Sequence, residues 1–188
     1  MARRTCMSSL SARLAALALV FAASPAFACE EDEGFMFSCE AGSPERAIAI
    51  CGKSEDTGEG LKWTTARIVY SATDGEQQSY PADPTAGPAS LYFSHVFRND
   101  LYEANVRFEK DGGSFRLAFR DKPESATPDD LTGPEAWLEL TRDGTTTEIA
   151  RCSEPPVAYF DQMRVTFACD HQNPHGAPGC SNTPPNIK

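Results

Sequence analysis

The cysteines of this chain restrict its fold more than any other feature. The sequence holds seven of them in 188 residues, and only Cys6 lies within the first 28 positions. The other six form an even set, which in an oxidising compartment typically pairs into three disulfides. We therefore predict a disulfide framework built from Cys29, Cys39, Cys51, Cys152, Cys169 and Cys180.

The first 28 residues have the layout of a secretory signal peptide. Arg3 and Arg4 precede a short apolar run over residues 14–21, and Ala26-Phe27-Ala28 forms a small-residue cleavage site. The apolar run is shorter than the roughly 20 residues that a membrane span needs. We predict cleavage after Ala28 and a periplasmic or secreted protein with no transmembrane segment.

Cleavage after Ala28 would make Cys29 the first mature residue, which raises the alternative of a lipid on its thiol. Lipoprotein signals place a Leu-like residue three positions before the cysteine and a small residue two positions before it. Those positions hold Ala26 and Phe27. The sequence therefore disfavours a lipoprotein anchored through Cys29.

The pairing of the six cysteines stays open at this point, since six allow 15 connectivities. Two local bonds are plausible: Cys39 with Cys51 would close a hairpin, and Cys169 with Cys180 would pin the C-terminal tail. The rival to the first is a long-range bond from Cys39 or Cys51 to Cys152. Such a bond would tie the first hairpin to a late strand.

The charge of the chain excludes some partner classes. The whole sequence has 17 basic and 27 acidic residues, and loss of the basic leader shifts its formal charge from −10 to −13. Nucleic acids require a basic face, so a nucleic-acid partner is disfavoured. A cationic protein is a compatible partner. We interpret the acidic run at residues 30–33 as part of a solvated N-terminal tail.

Alternation of apolar and polar residues predicts β-strands along most of the mature chain. Residues 101–109 and 114–120 alternate between an apolar and a polar face around the turn Asp111-Gly112-Gly113, which is typical of a hairpin. A first hairpin is predicted over 35–39 and 48–51. Further strands are predicted at residues 62–71, 91–98, 136–141, 145–152 and 163–169.

Many short strands with no sustained helical pattern after residue 28 predict an all-β fold. We expect an antiparallel β-sandwich or a small β-barrel, stabilised by disulfides. The predicted organisation is a signal peptide (1–28), an acidic N-terminal tail (29–34), one β-rich domain (35–169) and a C-terminal tail rich in Pro and Gly (170–188). The mature length suits a single domain.

Few residues suggest chemistry. His171 and His175 lie between Cys169 and Cys180, a spacing compatible with a zinc or copper site. Pairing of the cysteines would remove the thiolates, so we expect no cofactor and keep metal binding as an alternative. His95 lies in an aromatic strand and is interpreted as structural. No nucleophile elbow or phosphate-binding loop is present in the sequence, which argues against an enzyme. Carboxylates are plentiful, so a glycosidase-type pair stays an open alternative.

Trp137 is the aromatic residue that fits the predicted core least well. If Ala136 and Leu138 point inward, Trp137 points outward next to a proline-rich stretch over residues 123–134. An exposed Trp is typical of a binding surface. The alternative is that the proline-rich stretch covers it.

Several short motifs carry a resemblance to a known family. They are Phe37-Ser38-Cys39, Ile48-Ala49-Ile50-Cys51-Gly52, the hairpin around Asp111-Gly112-Gly113 and the late strand that ends in Cys152. From residue 35 to 152 their order resembles an uncharacterised family of small exported proteins of Gram-negative bacteria, a family that implies no particular activity.

More distantly, the plan is similar to the periplasmic lysozyme inhibitors, which are small disulfide-bonded β-domains. Their S-G-x-x-Y loop is missing here. The nearest stretch, at residues 87–92, lacks that pattern, so no inhibitory residue is carried over.

Three hypotheses about function follow. The leading one is an exported, non-catalytic binding or envelope-associated protein. The second is an inhibitor of a cationic secreted enzyme such as lysozyme, because opposite net charge promotes encounter. The third is a metal-binding or hydrolytic role centred on His171 and His175.

Overall fold

Short strands dominate the computed structural model, which describes residues 28–42, 46–71, 76–98, 101–121 and 133–173. In chain order the strands are β1 (Gly34–Glu40), β2 (Ala47–Gly52), β3 (Ser54–Asp56), β4 (Leu61–Trp63), β5 (Arg67–Ser71), β6 (Gln77–Tyr80), β7 (Tyr92–Arg98), β8 (Leu101–Lys110), β9 (Gly113–Asp121), β10 (Glu135–Arg142), β11 (Thr145–Arg151), β12 (Val157–Ala158) and β13 (Ala168–Cys169). A 3-10 helix spans Pro84–Ala86, and the α-helices are α1 (Gly87–Ser90) and α2 (Phe160–Thr166).

The strands form two larger sheets and one small hairpin. The first sheet has the order β12-β1-β2-β5-β6, and the second has the order β11-β10-β9-β8-β7-β13. Neighbours in both sheets are antiparallel, except that β13 runs parallel to β7. Strands β3 and β4 pair with each other as a separate hairpin. The predicted antiparallel all-β fold is confirmed.

The hydrophobic core lies between the inner faces of the two sheets. Ile48 and Ile68 of the first sheet are fully buried, as is Phe108 of the second. The Phe108 ring stacks on Phe115 with ring centroids 4.9 Å apart and on Tyr80 with centroids 4.8 Å apart. Because Tyr80 belongs to the first sheet, these rings join the two sheets. The fold is therefore the sandwich alternative of the sequence prediction.

The two predicted hairpins are both confirmed. Strands β8 and β9 pair from Tyr102 opposite Asp121 to Lys110 opposite Gly113. Their turn places Asp111 at φ 51° and Gly112 at φ 73°, the left-handed conformations that a tight hairpin turn requires. Strands β1 and β2 form the first hairpin, with a bulge between Phe35 and Phe37.

The disulfides follow the long-range alternative, and the local Cys39–Cys51 pairing is wrong. In the β1–β2 register Cys39 lies opposite Ile48, whereas Cys51 lies opposite Phe35 at the far end of the hairpin. Cys39 instead bonds Cys152, with Cα atoms 5.7 Å apart, and Cys51 bonds Cys29, with Cα atoms 5.3 Å apart. These bonds indicate an oxidising, extracytoplasmic compartment.

Cys169 is also disulfide-bonded, and its predicted partner Cys180 lies outside the described residues.

The alternative of a lipid on the Cys29 thiol conflicts with the structure, because the Cys29 sulfur is already in a disulfide. A sulfur in a disulfide cannot at the same time carry a thioether-linked lipid, and the Cys29 sulfur is bonded to that of Cys51.

The predicted single strand over 62–71 is wrong, because the chain turns between β4 and β5. The amide of Thr64 donates to the Lys53 carbonyl, and the amide of Ala66 donates to the Pro84 carbonyl. Two glycines permit this tight crossing. A Cβ on Gly52 would lie 2.1 Å from the Thr65 carbonyl oxygen, and one on Gly87 would lie 1.7 Å from that of Ala66.

The predicted strand over 163–169 is also wrong: most of it is helix α2. Met163 and Phe167 are buried, as the alternating pattern required, but Val165 between them is 71% exposed. Buried residues four apart fit a helical turn. Only the two-residue β13 at the end of this segment is a strand.

The acidic segment at residues 30–33 is solvated at Glu30, Glu31 and Asp32, which are exposed, but it is anchored to the domain through Asp32 and Glu33. The Arg67 guanidinium forms two hydrogen bonds with the Glu33 carboxylate, at 2.9 Å and 2.6 Å. This contact lowers the pKa of Glu33. Lys53 pairs with Asp32, and the Cys29–Cys51 disulfide holds the start of the segment.

The first residues of the predicted C-terminal tail are also docked on the domain. Asp170 is buried and accepts hydrogen bonds from Arg107 Nε at 3.0 and 3.1 Å. The Asn173 side-chain amide donates to Ser94 Oγ at 2.7 Å. Asp170 and Asn173 are therefore packed on the domain, and the remainder of the predicted tail lies outside the described residues.

Candidate functional site

The predicted metal ligands are only partly described. His171 is exposed, and its Nδ1 lies 3.7 Å from Cys169 Sγ. Cys169 is in a disulfide, so its sulfur is not available as a thiolate ligand. His175 and Cys180 lie outside the described residues.

A second group of metal-ligating residue types occurs near the N-terminus. Ligand atoms of Cys29, Glu33 and Cys51 lie within 4.8 Å of one another. The two sulfurs are bonded to each other, and the Glu33 carboxylate is occupied by Arg67. This geometry is that of a structural clasp, so it does not offer a metal site in the oxidised protein.

Trp137 points away from the core, as predicted, but it is not an exposed platform. Its side chain is 9% exposed, with the Arg120 and Arg151 guanidinium carbons 5.3 Å and 5.1 Å from its ring. The indole N–H donates to Glu139 Oε2 at 2.9 Å. Two arginines thus cover the ring that we predicted as a binding surface. Most of the alternative cover, residues 123–134, lies outside the described residues.

His95 is held in an aromatic environment between the second sheet and α2. Its ring centroid lies 5.7 Å from that of Phe93 and 6.3 Å from that of Tyr102. Burial and the nearby Arg164 lower the pKa of His95, and Asp161 opposes this shift. Burial also raises the pKa of Tyr102 to about 12. The buried Nδ1 of His95 has no hydrogen-bond partner, so this nitrogen is not held by a carboxylate of the kind that orients a catalytic histidine.

A shallow depression of about 320 Å³ lies beside the Cys39–Cys152 disulfide. Its charged lining includes Glu135 and Arg151, which form an ion pair with each other at 3.3 Å. Glu154 also lines the depression, so its charged lining consists of one ion pair and one further carboxylate.

The most distinctive surface surrounds helix α2, and we call it the α2 surface. Among the described residues, five large apolar side chains are exposed, and each lies on α2 or on an adjoining element. Leu61 belongs to β4 and Phe97 to β7, two strands that contact α2. Val157 lies on β12, and Tyr159 directly precedes the helix. The exposed fractions are Val165 71%, Phe97 69%, Leu61 50%, Val157 50% and Tyr159 47%.

Contacts beneath the α2 surface fix the helix in place. Met163 is 1% exposed in the core, and the Phe160 ring packs edge-on against Phe119 with centroids 4.6 Å apart. At the start of α2, the Tyr159 amide donates to the Met36 carbonyl. Because a helix this short has little stability of its own, these tertiary contacts hold it.

Next to the α2 surface lies an acidic region that we call the acidic pole, formed by residues 30–33 and the β3–β4 hairpin. The Trp63 indole N–H donates to Gln162 Oε1 at 2.6 Å and so connects the hairpin to α2. Every residue from 53 to 62 is exposed. The acidic members are Glu30, Glu31, Asp32, Glu33, Glu55, Asp56 and Glu59, and the basic members are Lys53 and Lys62.

The hairpin in the acidic pole has an ordered tip. The Thr57 amide donates to the Gly60 carbonyl at 3.1 Å, and the Gly58 amide donates to Asp56 Oδ1 at 2.8 Å. An isolated two-stranded hairpin is marginal in water. Its base is fixed by Trp63, which is buried, and by the bonds of Thr64 and Thr65 to Lys53.

Comparison with known proteins gives no relative: no protein family, no curated protein and no solved structure matches the chain. Within the described residues, no helix has the length and apolar character to span a membrane.

The sequence analysis does not predict the α2 surface, because it interprets residues 163–169 as a strand. The spacing of Phe160, Met163 and Phe167, typical of one helix face, was the signal that would have revealed it.

Proposed function

We propose that the protein is an exported, non-catalytic binding protein of the periplasm or the secreted space, and that it binds a cationic protein. The acidic pole carries this proposal. Within the described part of the chain, Glu55 and Glu59 are exposed and have no ion-pair partner. They lie on a hairpin with a hydrogen-bonded tip, so their charges are presented at defined positions.

The electrostatics support a cationic partner. Complementary charge raises association rates and disfavours partners of like charge. Lys53 and Arg67 are already paired with Asp32 and Glu33. In the hairpin Lys62 lies opposite Glu55, and the exposed carboxylates of Glu55, Asp56 and Glu59 outnumber this one remaining cation. The two described histidines support a non-catalytic role, because His95 is packed among aromatic rings and His171 is exposed.

The proposal is tested by titrating the oxidised protein, residues 29–188, with lysozyme as the cationic probe and with an acidic protein of similar size. We expect lysozyme to bind at low salt, the acidic protein not to bind, and Glu59→Lys to weaken lysozyme binding several-fold more than Glu154→Lys. Both substitutions change the net charge equally at exposed positions, so the second controls for overall charge. Absence of lysozyme binding at low salt would contradict the proposal.

A second candidate function, inhibition of such an enzyme, is favoured by the shape of the β3–β4 hairpin. Its strands have three residues each and are joined by the exposed stretch 57–60. Paired strands lie only about 4.8 Å apart, narrow enough to enter a substrate cleft. Lysozyme turnover at low and high salt tests this candidate. Binding without any loss of turnover would contradict the inhibitor function and leave the proposed binding function standing.

A further inference from the structure

The exposed apolar side chains are concentrated around α2, although the described domain has thirteen strands on which they could have been spread. Scattered exposed apolar residues are normal on protein surfaces, whereas a concentration of them typically marks an interaction site. The most exposed, Val165 and Phe97, lie on α2 and on β7, which contacts it. Leu61 lies on the other neighbour, β4.

This surface is preformed. Met163 and Phe160 pack into the core beneath it, and the Trp63–Gln162 hydrogen bond fixes the β4 side. On the β12 side, the Tyr159 ring lies 5.8 Å from that of Phe35. Ordering costs on binding are therefore small, which favours affinity.

Charged residues border the apolar ones, and carboxylates outnumber cations among them: Glu55, Asp56, Glu59 and Asp161 against Lys62 and Arg164. The Asp161 side chain is 96% exposed on α2 itself, and its contact with Arg164 is long, at 3.4 Å. Across the Trp63–Gln162 bond lies the hairpin of the acidic pole, with Glu55 and Glu59. An apolar surface with an acidic border is complementary to apolar side chains flanked by Lys or Arg.

We propose that the α2 surface is the docking site for an amphipathic, cationic segment of the protein partner, whose apolar face packs on Val165, Leu61 and Tyr159. This inference rests on the proposed function and specifies its partner. The acidic border disfavours a second copy of this chain, since pairing two α2 surfaces would bring the like-charged borders together. It disfavours anionic lipid for the same reason.

The experiment uses the oxidised protein and two synthetic peptides of equal charge. One is an amphipathic helix of Leu and Lys with Leu at i, i+3, i+4 and i+7, and the other is oligolysine. We expect the amphipathic peptide to bind at least tenfold more tightly than oligolysine. Val165→Ser and Leu61→Ser should each reduce its affinity several-fold and leave oligolysine binding unchanged, because they remove apolar contact area but no charge.

Val165→Ile retains the apolar side chain and should retain the affinity. Thermal unfolding checks that all variants fold, as expected for substitutions at exposed positions. Equal binding of the two peptides, or unchanged affinity in both serine variants, would overturn the α2 assignment and leave the proposed function standing. If neither peptide binds, both proposals fail. Self-association that Val165→Ser abolishes would overturn the assignment in favour of a second copy.

Discussion

At the scale of single residues, buried polar groups distinguish structural roles from functional ones. Trp137 and Glu33 are buried with their polar atoms satisfied, by Glu139 and by Arg67. His95 differs, because its buried Nδ1 has no partner. A buried polar atom without a hydrogen bond costs stability, and protonation of this ring would add the cost of a buried charge. His95 is therefore the residue at which acidification should act on the fold.

We predict that His95 makes the domain less stable between about pH 6.5 and mildly acidic values. Burial holds the pKa of folded His95 below its ordinary value, with Arg164 adding to the shift and Asp161 opposing it. As the pH falls below the pKa of His95 in the unfolded chain, the unfolded chain binds a proton at this imidazole while the folded chain does not. The free energy of unfolding therefore decreases as the pH falls. One group contributes at most about 1.4 kcal/mol per pH unit.

Urea unfolding of the wild type and of His95→Phe from pH 7.5 to 5 measures this contribution. The substitution should remove part of the pH slope in that window, because Phe neither titrates nor leaves an unsatisfied nitrogen. His171→Gln, at an exposed position, is the control. An unchanged slope in His95→Phe would contradict the prediction.

At the scale of secondary-structure elements, the sequence correctly predicted strands with one exposed and one buried face. The prediction was wrong where a segment turns or becomes helical, at residues 62–71 and 163–169. In strands β8 and β9 the alternation correctly places Val106 and Leu117 inward, although Asn105 and Ala118 on the opposite face are buried as well. Met163 in α2 and Phe167 directly after it are expected to be buried under either a strand or a helix pattern, and only the exposure of Val165 distinguishes the two. The break between β4 and β5 depends on contacts with Lys53 and Pro84 that no local pattern encodes.

The candidate site was less predictable than the fold for a related reason. The acidic residues of the pole were evident in the sequence, but their anchoring by Arg67 and Lys53 required strands that are distant in the chain. The outward direction of Trp137 followed from alternation. Its cover by Arg120 and Arg151 depended on the registers of β9 and β11 with β10, which alternation alone does not fix.

At the scale of the whole molecule, the two described disulfides act on different parts of the sandwich. Cys39 lies on β1 of the first sheet, and Cys152 directly follows β11 of the second, so their bond crosses the core. The Cys29–Cys51 bond instead holds the N-terminal segment over the outer face of the first sheet, where Ala49 and Val69 are buried beneath it. The first bond joins the sheets, and the second completes a surface.

This difference predicts an order of stabilities for Cys→Ala double variants. The two bonds span 113 and 22 residues of chain, and loop-closure entropy alone assigns them about 5 and about 3 kcal/mol. We expect the free energy of unfolding in urea to fall more in Cys39→Ala/Cys152→Ala than in Cys29→Ala/Cys51→Ala. Because domains of this size have only about 5–15 kcal/mol of net stability, the Cys39→Ala/Cys152→Ala variant should be close to unfolded. The N-terminal variant, in contrast, should stay folded while Ala49 and Val69 become accessible to an apolar dye. The reverse order of free energies would mean that the N-terminal clasp, and not the bond across the core, holds the two sheets together.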